Sequence, residues 1–420
     1  CGTGMTGVAA QLCGDRKTVE SLGYRVDDQG IIYRQETDEH GKTVWVPFSK
    51  LGARRAVLND LSPAATFIAY NYNTPVDVQA FEREAKRILE EVEEECGWMY
   101  ATLHAPEAGV PEVLADRLRA CKTADEARQL IGTLGNVGRI NYTVWSDVFV
   151  CPECTQEVVF WEAAVDKEAG KVHSEFPCPH CGAMLTKRNM ERAWVTKYDK
   201  AIGQTIRQAK QVPVLINYSV GKKRHEKTPD AFDLALIEKI EELDIPYWFP
   251  TEPMMFKGEQ WGDTWRAGVH AGITHVHHFY TKRNLWVLGA YFAALGTAEL
   301  GKRLIPILTG GLLGLTKLQR FKPKTTFPNM ILSGTLYVGS LVREWRADQW
   351  LNGKLRSFRR ALSSRPPSGL IETRTSDVLD TPSAFYDYIF TDPPFGGNLM
   401  YSELNFLWEA WLKVFTNNKP

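Results

Sequence analysis

Four of the eight cysteines in this chain stand as two Cys-Pro-x-Cys pairs, "CPEC" at 151–154 and "CPHC" at 178–181. No other feature restricts the fold so tightly. Each short turn aims two thiolates at a shared point, and two such turns separated by 23 residues can enclose one tetrahedral zinc ion through Cys151, Cys154, Cys178 and Cys181. The intervening "TQEVVFWEAAVDKEAGKVHSEFP" reads as a β-hairpin with "EVVFW" and "VHSEF" as its arms, which together make a zinc ribbon. Four thiolates close the coordination sphere and leave no position for water, so the ion is expected to be structural. The competing reading, two disulfides, needs an oxidising compartment, for which nothing in the sequence argues. His173 and His180 lie nearby and read as bystanders. Cys1, Cys13, Cys96 and Cys121 are scattered, in the manner of small buried hydrophobes.

The 420 residues leave room for two or three domains. Fifty basic residues balance fifty acidic ones, so any nucleic-acid contact must come from local patches. "GKKRHEK" at 221–227, "KLQRFKPK" at 317–324 and "KLRSFRR" at 354–360 are such patches, and each alone also suits a solvated face. The longest apolar runs, "LWVLGAYFAALG" and "LIPILTGGLLGL", are broken by glycines and fall short of the roughly 18–20 residues of a membrane span. No membrane partner and a cytoplasmic location are therefore expected. The chain opens at Cys1 without a methionine and closes on "VFTNNKP", and both ends read as cut.

Near the carboxyl end, "YDYIFTDPPFGGN" (386–398) places an acid, two prolines and an aromatic directly after an apolar run. Tyr386 to Thr391 reads as a buried strand that the prolines terminate. Asp392, Pro393, Pro394 and Phe395 then stand at the carboxyl end of a strand, where open α/β sheets hold their ligands. At the other end, "CGTGMTGVAAQL" reads as a tight glycine loop opening a helix, a site that favours close approach of a polar or anionic group. In "RRAVLNDLSPAATFIAYNYN" (54–73), a strand from Ala56 to Leu58 ends at Asn59-Asp60, and Ser62-Pro63 starts another helix. An acid at the end of the second strand of a doubly wound sheet can bind ribose hydroxyls. Asp60 can equally be a plain helix cap.

"CGTGMTG" resembles the AdoMet-binding motif of amino-methyltransferases, and "TDPPF" resembles their catalytic motif, Asp/Asn/Ser-Pro-Pro-aromatic. With its ribbon and its "TDPPFGGNLMYSELNFLWEAWL" ending, nearly the whole chain resembles the adenine-specific DNA methylases that contain a zinc ribbon. The motif's leading Phe and the strand before it would precede Cys1. The resemblance implies an α/β fold: a doubly wound methyltransferase sheet, incomplete at both ends, with an inserted zinc ribbon and a mixed α/β target-recognition region. It implies S-adenosyl-L-methionine as cofactor, with Gly2, Gly4, Thr6 and Asp60 around it. "RTSDVLD" resembles the motif whose acid contacts the adenine, with Asp377 as the candidate and Asp380 close by. The base amine would be engaged by the Asp392 carboxylate and the Pro393 carbonyl, stiffened by Pro394, while Phe395 stacks on a flipped base. The implied partner is double-stranded DNA, in modification or phage defence with partner proteins of such a system.

Asp-Pro-Pro-aromatic is commoner in adenine enzymes and Ser-Pro-Pro in cytosine-N4 enzymes, so N6-methyladenine is the expected product. An RNA guanine-N2 methyltransferase is the alternative enzyme. A zinc-ribbon nucleic-acid-binding subunit with a vestigial methyltransferase half is the alternative from another class.

The organisation read from the chain is an AdoMet-binding half at 1–97 with a hairpin insertion at 15–52, a helical linker at 98–145 and a ribbon at 146–195. A target-recognition region at 196–370 and a catalytic half at 371–420 follow. Val78, Phe81, Ala85, Ile88, Leu89, Val92 and Cys96 share one face of a helix over 77–96 that Gly97 ends. Further helices are expected at 230–243 and 282–300. In "THVHHFYTKRNL" (274–285), alternation places His275 and His277 on one side, but no carboxylate accompanies them. A loop leading into a helix capped near Thr281 is the preferred reading, with Lys282 and Arg283 reaching toward phosphate.

Overall fold

The computed structural model describes residues 2–254, 262–325, 331–363, 371–375, 386–391 and 401–416. The chain is a mixed α/β protein that separates into two compact units. One comprises residues 1–83, 355–395 and 412–420, and the other 84–354 and 396–411.

In the first unit the strand Ala56–Asp60 pairs in parallel with Ile371–Thr375, with Ala56 opposite Ile371 and Asp60 opposite Thr375. Helix Pro63–Asn73 begins where the first strand ends: the Ser62 side chain accepts the Ala65 N–H, and Pro63 supplies the fixed φ of a first turn. This helix packs on both strands, and helix Met5–Leu12 packs on it and on Ala56–Asp60. The Thr66 and Thr375 hydroxyls meet at 2.6 Å, tying the helix to the second strand. In sequence between helix Met5–Leu12 and strand Ala56–Asp60 lies an antiparallel three-stranded sheet, Arg25–Val26, Ile31–Thr37 and Thr43–Lys50. Helix Arg16–Ser21 precedes it, and Val19, Val26 and Ile32 form its small core. The insertion read as strands alone thus also holds a helix, because the Asp15 carboxylate caps it through the Thr18 N–H.

The second unit is built on Val137–Val150, whose fourteen residues pair antiparallel with five other strands. Gln211–Val220 runs along one side, and its far side takes Lys223–Lys227. Ala101–Leu103 and Leu341–Trp345 pair with the first two thirds of the long strand. Glu157–Val159 and Glu191–Arg192 pair with its last residues. Helices Val110–Ala120 and Ala124–Gly132 lie in the stretch before it. Helix Val78–Cys96 buries Phe81, Ala85, Ile88, Leu89, Val92 and Cys96, the apolar stripe legible in the sequence.

Helix Lys282–Leu295 starts with the Thr281 hydroxyl accepting the Asn284 N–H. The expected helix to residue 300 stops at Gly296, and a separate helix, Gly301–Gly311, follows. Arg283 does not face solvent. It is buried, and its guanidinium donates to both Glu344 oxygens and to the Thr143 hydroxyl. An expected phosphate contact is therefore replaced by an internal ion pair. The Lys282 amine donates to the Glu241 carbonyl at 2.6 Å. Among the described residues, no helix is long and apolar enough to cross a membrane.

Candidate metal centre and amino-terminal loop

Each Cys-x-x-Cys turn closes a hairpin of its own. The first joins the end of Val137–Val150 to Glu157–Val159, with Val150 opposite Glu157. The second joins Glu175–Pro177 to Met184–Thr186, with Pro177 opposite Met184. The single hairpin expected between the turns is not formed. "EVVFW" is a strand only through Val159; Phe160–Ala164 is a helical turn that buries Phe160, Trp161 and Ala164 together, a spacing that suits a helix and not alternation. Val165–Asp166 and Lys171–Val172 then pair as a short hairpin.

The two turns share a backbone pattern. The Cys151 and Cys178 carbonyls accept the N–H groups of Thr155 and Gly182, both at 2.9 Å. Thr155 and Gly182 hold φ values of 59° and 75°, the left-handed region that turns the chain back. The Cys151 and Cys181 sulfurs lie 3.8 Å apart, as do those of Cys154 and Cys178, and all four lie within 4.8 Å of one another. A disulfide requires about 2.05 Å. Four sulfurs held tetrahedrally about 2.3 Å from a zinc ion stand about 3.8 Å apart. The four cysteines can therefore hold a metal ion, and their spacing suits zinc.

The electrostatics agree. Burial opposes ionisation of Cys178, but the N–H groups of Cys181 and His180 favour the thiolate and bring it down to about 6. At Cys154 the Gln156 N–H favours the thiolate, yet burial and the other three sulfurs push it up to about 12. One thiolate forms readily and further ones are resisted by its charge, a conflict that a cation removes. Phe149, Val158, Phe160, Phe176 and Leu185 pack around the buried Cys151 and Cys178. His180 Nε2 meets the Glu157 carbonyl at 3.0 Å, and His173 is exposed; neither belongs to the sulfur cluster.

The amino-terminal loop and Asp60 come together in the first unit. The Gly2 N–H donates to Asp60 Oδ2 at 3.0 Å, and the Ser62 N–H donates to Oδ1 at 3.1 Å. Gly4 has φ 79°, and a Cβ there would stand 2.6 Å from the Ala69 Cα, so the loop lies directly on helix Pro63–Asn73. Asn73 locks it by donating to the Gly4 carbonyl and accepting from Gln11. Thr6 is exposed in the first turn of helix Met5–Leu12. No atom of the described residues lies within 4 Å of where a Gly2 Cβ would be. Asp377, Asp392, Pro393, Pro394 and Phe395 lie outside the described residues, as does Cys1, while residues 386–391, expected as a buried strand, are irregular and almost entirely exposed.

The histidine segment forms a 3-10 turn, Val276–Phe279, ahead of the helix capped by Thr281. The carboxylate absent from its local sequence is supplied by Asp199, whose Oδ2 lies 2.7 Å from His277 Nε2 and 2.8 Å from His278 Nε2. A partner 78 residues away leaves no mark on the local pattern.

No family model, curated protein or solved structure matches the chain. The resemblance to zinc-ribbon DNA methylases stands on its motifs alone.

Proposed function

We propose that this chain is an AdoMet-dependent DNA amino-methyltransferase that forms N6-methyladenine on a flipped base. The observation that carries this reading is the meeting of the Gly2 amide and the Asp60 carboxylate at the carboxyl end of a parallel strand pair. In doubly wound sheets a glycine loop and an acid so placed hold the polar groups of a nucleotide-like cofactor. The residues fit such a group: Gly2 carries no side chain into the loop, and Asp60 can accept from ribose hydroxyls. In sequence the paired strand Ile371–Thr375 precedes Asp377, the candidate acid for the adenine, by two residues.

AdoMet, when bound, supplies an electrophilic methyl group. The nucleophile is the exocyclic amine of the substrate base, and the chain must make it reactive. An exocyclic amine delocalises its lone pair into the ring, and two hydrogen-bond acceptors, the Asp392 carboxylate and the Pro393 carbonyl, draw the nitrogen toward tetrahedral geometry. Phe395 replaces the stacking a flipped base loses. The cysteine cluster would hold a structural zinc, and the ribbon would help address DNA.

Nucleoside mass spectrometry of DNA from cells expressing the full-length gene tests the reading. N6-methyladenine, lost in Asp392→Ala while AdoMet binding persists, is the expected result. N4-methylcytosine would move the base assignment, and methylated guanosine in RNA with unmodified DNA would overturn it. Phe395→Ala should weaken the complex with an extrahelical base by about 1–3 kcal/mol, as for other base–aromatic stacks, and Phe395→Tyr should be tolerated.

A further inference from the structure

Apart from the four cysteines, the described residues bring together one other group of metal-ligating side chains: Asp199, His277 and His278. Asp199 ends the strand Trp194–Asp199, which pairs with Gln204–Ala209 in an isolated hairpin. Residues 195–198 of that strand are exposed. The carboxylate is shared between two tasks. Its Oδ1 accepts the Ala201 N–H and shapes the turn, while its Oδ2 takes both imidazoles. Both histidine side chains are at least nine-tenths buried.

We infer that Asp199, His277 and His278 form a second metal site, one that takes a divalent first-row transition ion such as zinc. Two imidazole nitrogens and one carboxylate oxygen are the donors such ions prefer. Adjacent donors around an octahedral ion at about 2.1 Å stand about 3.0 Å apart, and tetrahedral donors about 3.4 Å. The Oδ2–Nε2 separations of 2.7 and 2.8 Å need to open by about 0.2–0.3 Å for an octahedral ion and about 0.6–0.7 Å for a tetrahedral one.

Binding has a definite proton balance. His278 Nδ1 now receives the Thr274 N–H at 3.3 Å and faces the Thr274 hydroxyl at 3.4 Å, so its proton sits on Nε2. An ion at Nε2 takes the place of that proton, which moves to Nδ1; the Thr274 N–H then loses its acceptor, and the ring must turn so that Nδ1–H donates to the Thr274 hydroxyl oxygen. His277 Nδ1 has no partner among the described residues, so Asp199 is its polar anchor. Three donors leave positions open for water. The ion would staple the tip of the Asp199 hairpin to the turn that starts helix Lys282–Leu295.

The test is the metal content of the tag-free chain, purified without chelators and dialysed against zinc. Two ions per chain are expected, falling to one in Cys151→Ser/Cys178→Ser and to one in His277→Ala/His278→Ala. The near-isosteric Asp199→Asn should weaken the second ion at least tenfold with circular dichroism unchanged. Cobalt separates the sites in the native chain. The first equivalent should develop thiolate-to-cobalt charge transfer, and the second only weak ligand-field bands. Hydrogen exchange of residues 194–209 should slow as the second ion binds. One ion in the native chain, or a second ion retained in His277→Ala/His278→Ala, would overturn the assignment.

Discussion

Glu344→Ala should be among the most destabilising single changes in the second unit. The Glu344 carboxylate accepts from Arg283 Nε at 2.7 Å and Nη2 at 2.5 Å. It also accepts from Trp145 Nε1 at 2.7 Å and from the Thr281 hydroxyl. The side chains of Arg283 and Glu344 retain 4% and 1% of their exposure. Removing the acid strands a guanidinium whose remaining partners are the Thr143 hydroxyl, a long contact to the Met99 carbonyl and the Tyr100 ring. Breaking a buried pair this way costs about 3–5 kcal/mol. At about 1.4 kcal/mol per tenfold, amide protection in helix Lys282–Leu295 and strand Leu341–Trp345 should fall by roughly two to three and a half orders of magnitude. Hydrogen exchange with mass spectrometry reads this segment by segment.

The double change Arg283→Met/Glu344→Leu removes both charges and should recover most of the loss, because apolar replacement of a buried pair is often near neutral. A Glu344→Ala loss below tenfold would refute the reasoning, as would a double variant no better than the single one. On the proposed DNA-binding role, the double variant Arg283→Met/Glu344→Leu should also leave the salt dependence of DNA binding unchanged. A true phosphate contact would lower that slope by about 1.

Stripping the cysteine-bound ion should unprotect Glu157–Val159 and Glu175–Pro177 together, since ribbon folding is coupled to metal; intact protection after zinc release, followed with a colorimetric chelator, would count against it. Thr155→Gly should stabilise the first turn by up to about 1 kcal/mol, because a left-handed L-residue costs about 1–2 kcal/mol and glycine loses part of that in chain entropy. Gly182→Ala, with open space around its Cβ position, should lose about 1 kcal/mol for the same reason; thermal melts that move the two variants in one direction would contradict this. Gly4→Ala should cost about 2–5 kcal/mol, adding overlap with Ala69 to the left-handed backbone cost, whereas Gly2→Ala meets no atom and should cost only the backbone part, a difference that exchange in helix Pro63–Asn73 would reveal.

What could be read without coordinates was short-range. The stripe from Phe81 to Cys96 follows from a 3.6-residue period, and the starts of helices Pro63–Asn73 and Lys282–Leu295 follow from Ser62 and Thr281, whose hydroxyls cap an N–H three residues on. The cysteine spacing likewise specified a shared cluster, because each pair is oriented by its own turn. Even there the strand partners were not legible: Glu157–Val159 pairs with Val148–Val150, a choice set by which apolar faces can be buried together. Arg283 and the histidines show the limit most clearly. Charge and spacing suggested an exposed cation and an unaccompanied histidine run. Chain topology brought Glu344 to the first and Asp199 to the second across 61 and 78 residues. Burial removed the water that would have solvated each group, so a partner of opposite character became necessary. Local pattern determines which groups demand a partner; the tertiary fold determines which residue answers, because desolvation is a property of the packed interior and not of the neighbouring sequence.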